Sequence, residues 1–333
     1  MEYKIKTLDF KYENLESACD LLKDLEEGKH TITCLDLSHN TYYPVVFAQI
    51  VKRITHFTHL IEINLDSTLS CLNLDEMVEI CKLISLFVPK TLKKISMSAN
   101  ALSCNIPNEW CDFIAECNDL EELTLHNCGL GHDGISKIFG ALKGKCIKLK
   151  VLDIGKNRIN ILNKELGKIV NGFNHLLVFK MAHNTVSEGL NDFLGEINHS
   201  LDVLDITDNF VDELDGLKNI LSKNTLKEIY LRDIKTENMS DVLKIFLTNN
   251  FENLKILDIS QNDMETEECL IFLMEIVKRN KSLKKLVIYD NFYETEYETM
   301  FLDLKILMNL QGKFVDEDPS FIEEILIEKL SRI

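Results

Sequence analysis

Ten cysteines, nine histidines and a surplus of carboxylates are the residues of this chain best suited to chemistry. The cysteines stand at 19, 34, 71, 81, 104, 111, 117, 128, 146 and 269 without a CxxC pair, which removes the commonest zinc and redox signatures. They read as reduced, mostly buried thiols. His126 and His183 have no cysteine or carboxylate at ligand spacing, so no metal site and no cofactor is expected. There is no GxSxG, no P-loop and no HExxH. An enzyme acting by itself is therefore not expected. The remaining polar chemistry is that of recognition.

Charge narrows the partner. The formal net charge is −17, from 37 basic against 54 acidic residues. Nucleic acid and anionic membrane both require a basic footprint that this balance does not supply. A protein partner with basic or mixed charge fits better. No apolar run reaches the length of a membrane span, and the start "MEYKIKTLDFKYENLE" lacks the apolar core of a signal peptide. The expected location is the cytosol or nucleoplasm. A chain of 333 residues exceeds the usual single compact domain, so two domains or an elongated repeat is expected.

The stretch "LEELTLHNCGLG" (120–131) supplies a template, LxxLxLxx(N/C). With any aliphatic or aromatic residue at the apolar positions, it recurs from residues 5, 32, 60, 92, 120, 149, 176, 201, 226, 254 and 283. Examples are "ITCLDLSHN", "LKVLDIGKN", "LDVLDITDN" and "LKILDISQN". The ninth position holds Asn40, Asn100, Asn157, Asn184, Asn209, Asn262 and Asn291, and Cys128 in the fifth copy. Asn and Cys are the residues that a leucine-rich repeat uses there. A small polar side chain turning inward can satisfy backbone groups that the turning chain would leave unpaired.

After each turn comes a helical segment. In "GHDGISKIFGALKG" Ile135, Ile138, Phe139 and Leu142 share one face at helical spacing. Strands stack at about 4.8 Å while packed helices need about 8–10 Å, which predicts a curved stack with the strands inside. The expected fold is an α/β leucine-rich-repeat solenoid, a horseshoe of about eleven strand-turn-helix repeats with a parallel concave sheet. Each unit contacts only its neighbours, so residues 1–312 read as one solenoid domain. In 313–333, "DPSFIEEILIEKLSRI" places Phe321, Ile322, Ile325, Leu326 and Leu330 on one face of a capping helix of the same domain. The longest interval marks an insertion near "LDSTLSCLNLDEM" (65–77), a rim loop in which Asp66 and Ser67 are candidate partner-binding residues.

The central copies resemble the RanGAP family, the GTPase-activating proteins of Ran. The likeness lies in "LEELTLHNCGLGHDGISKIFGAL", "LKVLDIGKNRIN", "VFKMAHNTVSEGL" and "LDVLDITDN", and extends more weakly over nearly the whole chain. It implies an eleven-repeat horseshoe of the ribonuclease-inhibitor-like subclass. It implies activation of GTP hydrolysis by Ran in its GTP form, by ordering the GTPase's own machinery without an arginine finger. Asn127 corresponds to the family's signature asparagine and would act on the switch region; Lys156 and Arg158, from the G(R/K)NR turn, would anchor acidic groups of the GTPase. Asp208 corresponds to an acidic residue of a later turn. A cytoplasmic site of action, including the nuclear envelope, and a monomer are implied.

Other readings stay open. Asn127 could bond a neighbouring turn, Arg158 could pair with acids of the next repeat, and Asp208 could be a solvated rim charge. Asp36, Asp153, Asp205 and Asp258 share the fifth template position and could be solvated or meet a basic surface. The opposing function is a non-catalytic binding scaffold or inhibitor resembling ribonuclease inhibitor, including a RanGAP relative without activity. A single tryptophan sets the chain apart from the tryptophan- and cysteine-rich inhibitor repeats.

Overall fold

The computed structural model describes residues 1–236, 239–249, 251–264, 266–291 and 298–312. The capping helix expected over 313–333 lies outside the described residues. The chain divides into two compact units, Met1–His199 and Ser200–Ile333.

The first unit runs β1 (Glu2–Lys4), β2 (Lys11–Tyr12), α1 (Cys19–Gly28), β3 (Cys34–Asp36), β4 (Thr41–Tyr42), α2 (Pro44–Ile54), β5 (Glu62–Asn64), α3 (Leu74–Phe87), β6 (Lys94–Ser96), α4 (Asn108–Glu116), β7 (Glu122–Thr124), α5 (Gly131–Leu142), β8 (Val151–Asp153), α6 (Lys164–Asn171), β9 (Val178–Lys180) and α7 (Leu190–Gly195). The second runs β10 (Val203–Asp205), α8 (Asp215–Leu221), β11 (Glu228–Tyr230), α9 (Met239–Thr248), β12 (Ile256–Asp258), α10 (Glu267–Arg279), β13 (Lys285–Val287) and α11 (Glu298–Leu310). Within each unit successive three-residue strands pair in parallel, and β2 pairs with β4 in a small side sheet.

The template explains the register. Equivalent positions lie opposite each other, as in Leu123↔Leu152 and Leu152↔Phe179. The middle residue of each of these strands is buried while its two neighbours stand half-exposed on the other face. This is the two-residue alternation of a one-sided strand. The residues flanking the strand, such as Leu120 and Leu125, are also buried. Each such aliphatic side chain contributes about 1.5–3 kcal/mol.

Helices close each repeat on the other side. The expected apolar face of α5, Ile135, Ile138, Phe139 and Leu142, is buried. Asn73 caps α3: its side chain accepts from the Glu76 N–H at 3.0 Å while the Glu76 carboxylate accepts from the Asn73 N–H at 3.0 Å. In α6, Gly167 is required by close approach, since a Cβ there would run into the carbonyl oxygen of Phe193 in α7.

The first copy departs from the sequence expectation, which begins it at residue 5. Glu2 pairs with Cys34 and Lys4 with Asp36, and the Ile5 N–H donates to the Asp36 carbonyl at 3.1 Å. Glu2 is therefore the third residue of that copy, and Leu8 and Phe10 are 65% and 43% exposed. A template that admits any apolar residue fits two registers here. Pairing with β3 decides between them because it buries Ile5 and fills the ladder bonds.

Candidate functional site

The candidate residues sit where strand becomes turn. From the second copy to the eleventh, the eighth residue is left-handed: His39, Ser67, Ala99, Asn127, Lys156, His183, Asp208, Asp233, Gln261 and Asp290 have φ between 50 and 57°. Left-handed backbone favours Gly, Asn and Asp, which accounts for much of this column without any ligand. In this conformation the eighth residue's N–H reaches the next repeat. Asn127 donates to the Gly155 carbonyl at 2.8 Å and Lys156 to the Ala182 carbonyl at 2.7 Å.

Beneath the rim lies the ninth-position ladder. The Asn157 amide donates to the carbonyls of Leu125 at 2.7 Å and Ile154 at 2.9 Å, and its oxygen accepts from the Cys128 N–H at 2.9 Å. Asn184 repeats this on Ile154 and Met181, and Asn262 on Leu231 and Ile259. Cys128, in the same niche, donates its thiol to the Met97 carbonyl at 3.1 Å. Burial pushes that thiol up to about 12, so it remains a neutral donor.

In the first unit the structure brings Asn127, Lys156 and Arg158 together on adjacent repeats. All three are exposed. Among the described residues, the Asn127 amide makes no hydrogen bond and neither Lys156 nor Arg158 forms an ion pair. This contrasts with nearby lysines: Lys94 meets Glu122 at 2.8 Å, Lys150 meets Glu121 at 2.6 Å and Lys148 meets Asp119 at 2.5 Å. Arg158, like Lys156, is left-handed, with φ 59°. His126 lies beside them, its Nδ1 3.4 Å from Asp153 Oδ1. Gly155 is small because of this ring: a Cβ there would stand 2.7 Å from His126 Nδ1.

The other candidates are placed elsewhere. Asp66 is half-buried, and its Oδ1 accepts from the Ser96 hydroxyl and the Ser98 N–H, both at 2.6 Å. Ser67 donates its N–H to the Ser98 carbonyl at 2.9 Å. Both thus tie one repeat to the next. Asp208 belongs to the second unit, where it donates its N–H to the Arg232 carbonyl at 2.8 Å and lies 3.6 Å from Lys235 Nζ.

Sequence reasoning missed two features. The fifth-position acids brace their own turns, since Asp36, Asp153, Asp205 and Asp258 accept the N–H of Ser38, Gly155, Thr207 and Ser260 at 3.0, 2.9, 3.1 and 3.0 Å. These are Asx turns, and an Asp followed two residues on by Ser, Thr or Gly was the signal. The second is Lys180, half-exposed at the fifth position of the seventh copy and opposite Asp153 in register. It forms no ion pair among the described residues, so it adds a third unmatched cation near Lys156. A lysine where four other copies carry aspartate was its signal.

Also among the described residues, no group of three or more His, Cys, Asp or Glu could hold a metal ion, and no helix is long and apolar enough to cross a membrane.

Both units are built of leucine-rich repeats. The parallel register and the buried asparagine ladder decide this. No protein-family model matches the chain, and no curated protein sequence matches it. Among solved structures the chain is similar to an internalin from Listeria monocytogenes str. 4b F2365, at 12% identity and a TM-score of 0.49, over 85% of this chain and 80% of that one. It is also similar to TLR13 in a TLR13–ssRNA13 complex, at 14% identity and a TM-score of 0.48. There the match covers 82% of this chain and 38% of TLR13.

Proposed function

We propose that this leucine-rich-repeat protein is a GTPase-activating protein for Ran in its GTP form, acting on the partner's chemistry and carrying none of its own. The observation that carries the reading is the rim of the first unit. There an unpartnered Asn127 amide stands one repeat from the unmatched cations Lys156 and Arg158, on an otherwise acidic chain. The likeness of 120–142 and 149–160 to the RanGAP family supports the same residues.

Phosphoryl transfer is accelerated by positioning and by charge stabilisation, with little covalent work for the protein. On this reading Asn127 hydrogen-bonds the switch machinery and holds the GTPase's own glutamine in its productive position. Lys156 and Arg158 hold acidic groups of the GTPase, and no arginine finger is inserted. The site of action is the cytoplasm, including the face of the nuclear envelope, and the activator works as a monomer.

The test is GTP hydrolysis by Ran with and without the purified chain. Acceleration that depends on Asn127 supports the reading. Binding of Ran·GTP without acceleration makes the chain a scaffold, and absence of binding removes Ran as the partner.

A further inference from the structure

The second unit presents a surface that the proposed rim does not use. On the open face of its sheet, Asp205, Tyr230 and Asp258 stand at equivalent positions of successive strands, with Asp205↔Tyr230 and Tyr230↔Asp258 in register. Beside them the Arg232 guanidinium lies 5.1 Å from the centroid of the Tyr289 ring, and its Nε donates to Gln261 Oε1 at 2.7 Å. All of these side chains are half-exposed. Tyrosine and arginine are the residue types that dominate protein-interface energetics, and these are held in place by contacts within the unit.

The charge around them has one dominant sign. Glu228 holds the Tyr230 hydroxyl at 2.9 Å, and Asp233 and Asp290 border the face at the eighth position. The Asp233 carboxyl is pushed up, first by burial, with Asp208 and Asp263 adding repulsion against the pull of Lys235 and Arg232. The Tyr230 hydroxyl is likewise pushed up by burial, then by Glu228, Asp205 and Asp258. Burial leads at both groups, and acids of this unit, different ones at each, add repulsion. A cationic partner would relieve that repulsion.

We propose that this face of the second unit docks an extended Lys/Arg-rich segment of a protein partner, its cations received by Asp205 and Asp258 and its side-chain stems lying across Tyr230. Two strand spacings separate the two aspartates, roughly 9.6 Å at about 4.8 Å each. Three residues of an extended polyproline II segment rise about 9.3 Å and return the side chain to the same side, which a β-strand with its two-residue alternation does not. The segment therefore carries basic residues at i and i+3. Arg232, fixed by Gln261 and Tyr289, offers its remaining N–H groups to the segment's carbonyls.

The experiment is a fluorescence-anisotropy titration of the full chain with a fluorescein-labelled peptide bearing arginine at every third position, beside its glutamate counterpart. The arginine peptide is expected to bind saturably and the glutamate peptide not at all. The double variant Asp205→Asn, Asp258→Asn keeps the acceptors for Thr207 and Ser260 while removing both charges. It is expected to bind at least tenfold more weakly with an unchanged circular dichroism spectrum. Tyr230→Ala is expected to weaken binding severalfold. Asp112→Asn, at an exposed acid on α4 of the first unit, and Arg158→Ala are both expected to leave it unchanged, so failure of the GTPase reading is separable. The proposal is overturned if the double variant binds like the parent, if Asp112→Asn weakens binding equally, or if the glutamate peptide binds as well.

Discussion

The backbone N–H of Asn157 donates to the side-chain oxygen of Asn184 at 2.8 Å, while the Asn184 amide donates back to the Ile154 carbonyl at 3.0 Å. Asn100, Asn157, Asn184 and Asn291 each bond their own turn and the preceding one in this way. The rim residues inherit their positions from this ladder, because Lys156 and Arg158 flank Asn157 directly.

Asn157→Ala is expected to destabilise the first unit by about 2–4 kcal/mol, since one substitution leaves the Cys128 N–H and the Leu125 and Ile154 carbonyls without their partner in a buried niche. Urea unfolding measures it. A loss below about 1 kcal/mol would mean that water or a shifted turn replaces these bonds.

Asn127 can be tested for chemistry apart from backbone. Ala99 already occupies the equivalent left-handed position, so Asn127→Ala should fold. Stimulated GTP hydrolysis by Ran is expected to fall roughly a hundredfold or more, the cost of about 3 kcal/mol for one transition-state hydrogen bond. Asn127→Gly keeps the left-handed turn without strain and is expected to be as impaired. Full activity in the glycine variant would assign Asn127 to turn formation.

Arg158→Ala is expected to weaken association with Ran·GTP by about 1–3 kcal/mol where the pair is desolvated in the complex. Lys180→Ala should add to the loss, because neither cation forms an ion pair among the described residues. Titration calorimetry separates this rim from the sheet face of the second unit: Asp258→Lys should change Ran affinity little. The reverse pattern would move docking to the sheet.

The cysteines should react in two classes. Cys19, Cys71 and Cys104 are exposed and Cys34 is half-exposed, whereas Cys81, Cys111, Cys117, Cys128, Cys146 and Cys269 are buried. Burial pushes Cys111 and Cys146 up to about 11 and Cys117 and Cys128 up to about 12. A thiol reagent at pH 8 is expected to modify the exposed group rapidly and all ten only after unfolding without reductant. Far fewer than ten would reveal disulfides.

Asp36 predicts an acid limit. Burial raises its carboxyl, but bonds from Ser38 and the ammonium of Lys4 at 3.1 Å outweigh it, so the folded value lies below the ordinary one. Folding therefore favours the ionised form. The contribution is complete above the unfolded value of about 3.9 and is lost as pH falls through the folded value. Asp36→Asn should make stability less steep in that window, read as the urea midpoint against pH. An unchanged slope would show that other carboxyls govern acid unfolding.

The repeat unit, the register from Ile32 onward, the buried faces of the helices and the shared niche of Asn157 and Cys128 are all legible in the order of residues. These are local matters: a side chain's size and polarity at a fixed offset decide whether it can enter the core and satisfy its own turn. The first strand needed the folded chain, because Met1–Ile5 and the residues after it fit the apolar template equally well until β3 supplies an edge to pair with. Folding also settles which polar groups are spent and which are free. Asp66 is occupied because the next repeat brings Ser96 and Ser98 to it, while Lys156, Arg158 and Lys180 form no ion pair among the described residues. A hydrogen bond needs its partner within about 3 Å, and that distance is set by packing between residues some thirty positions apart in the chain.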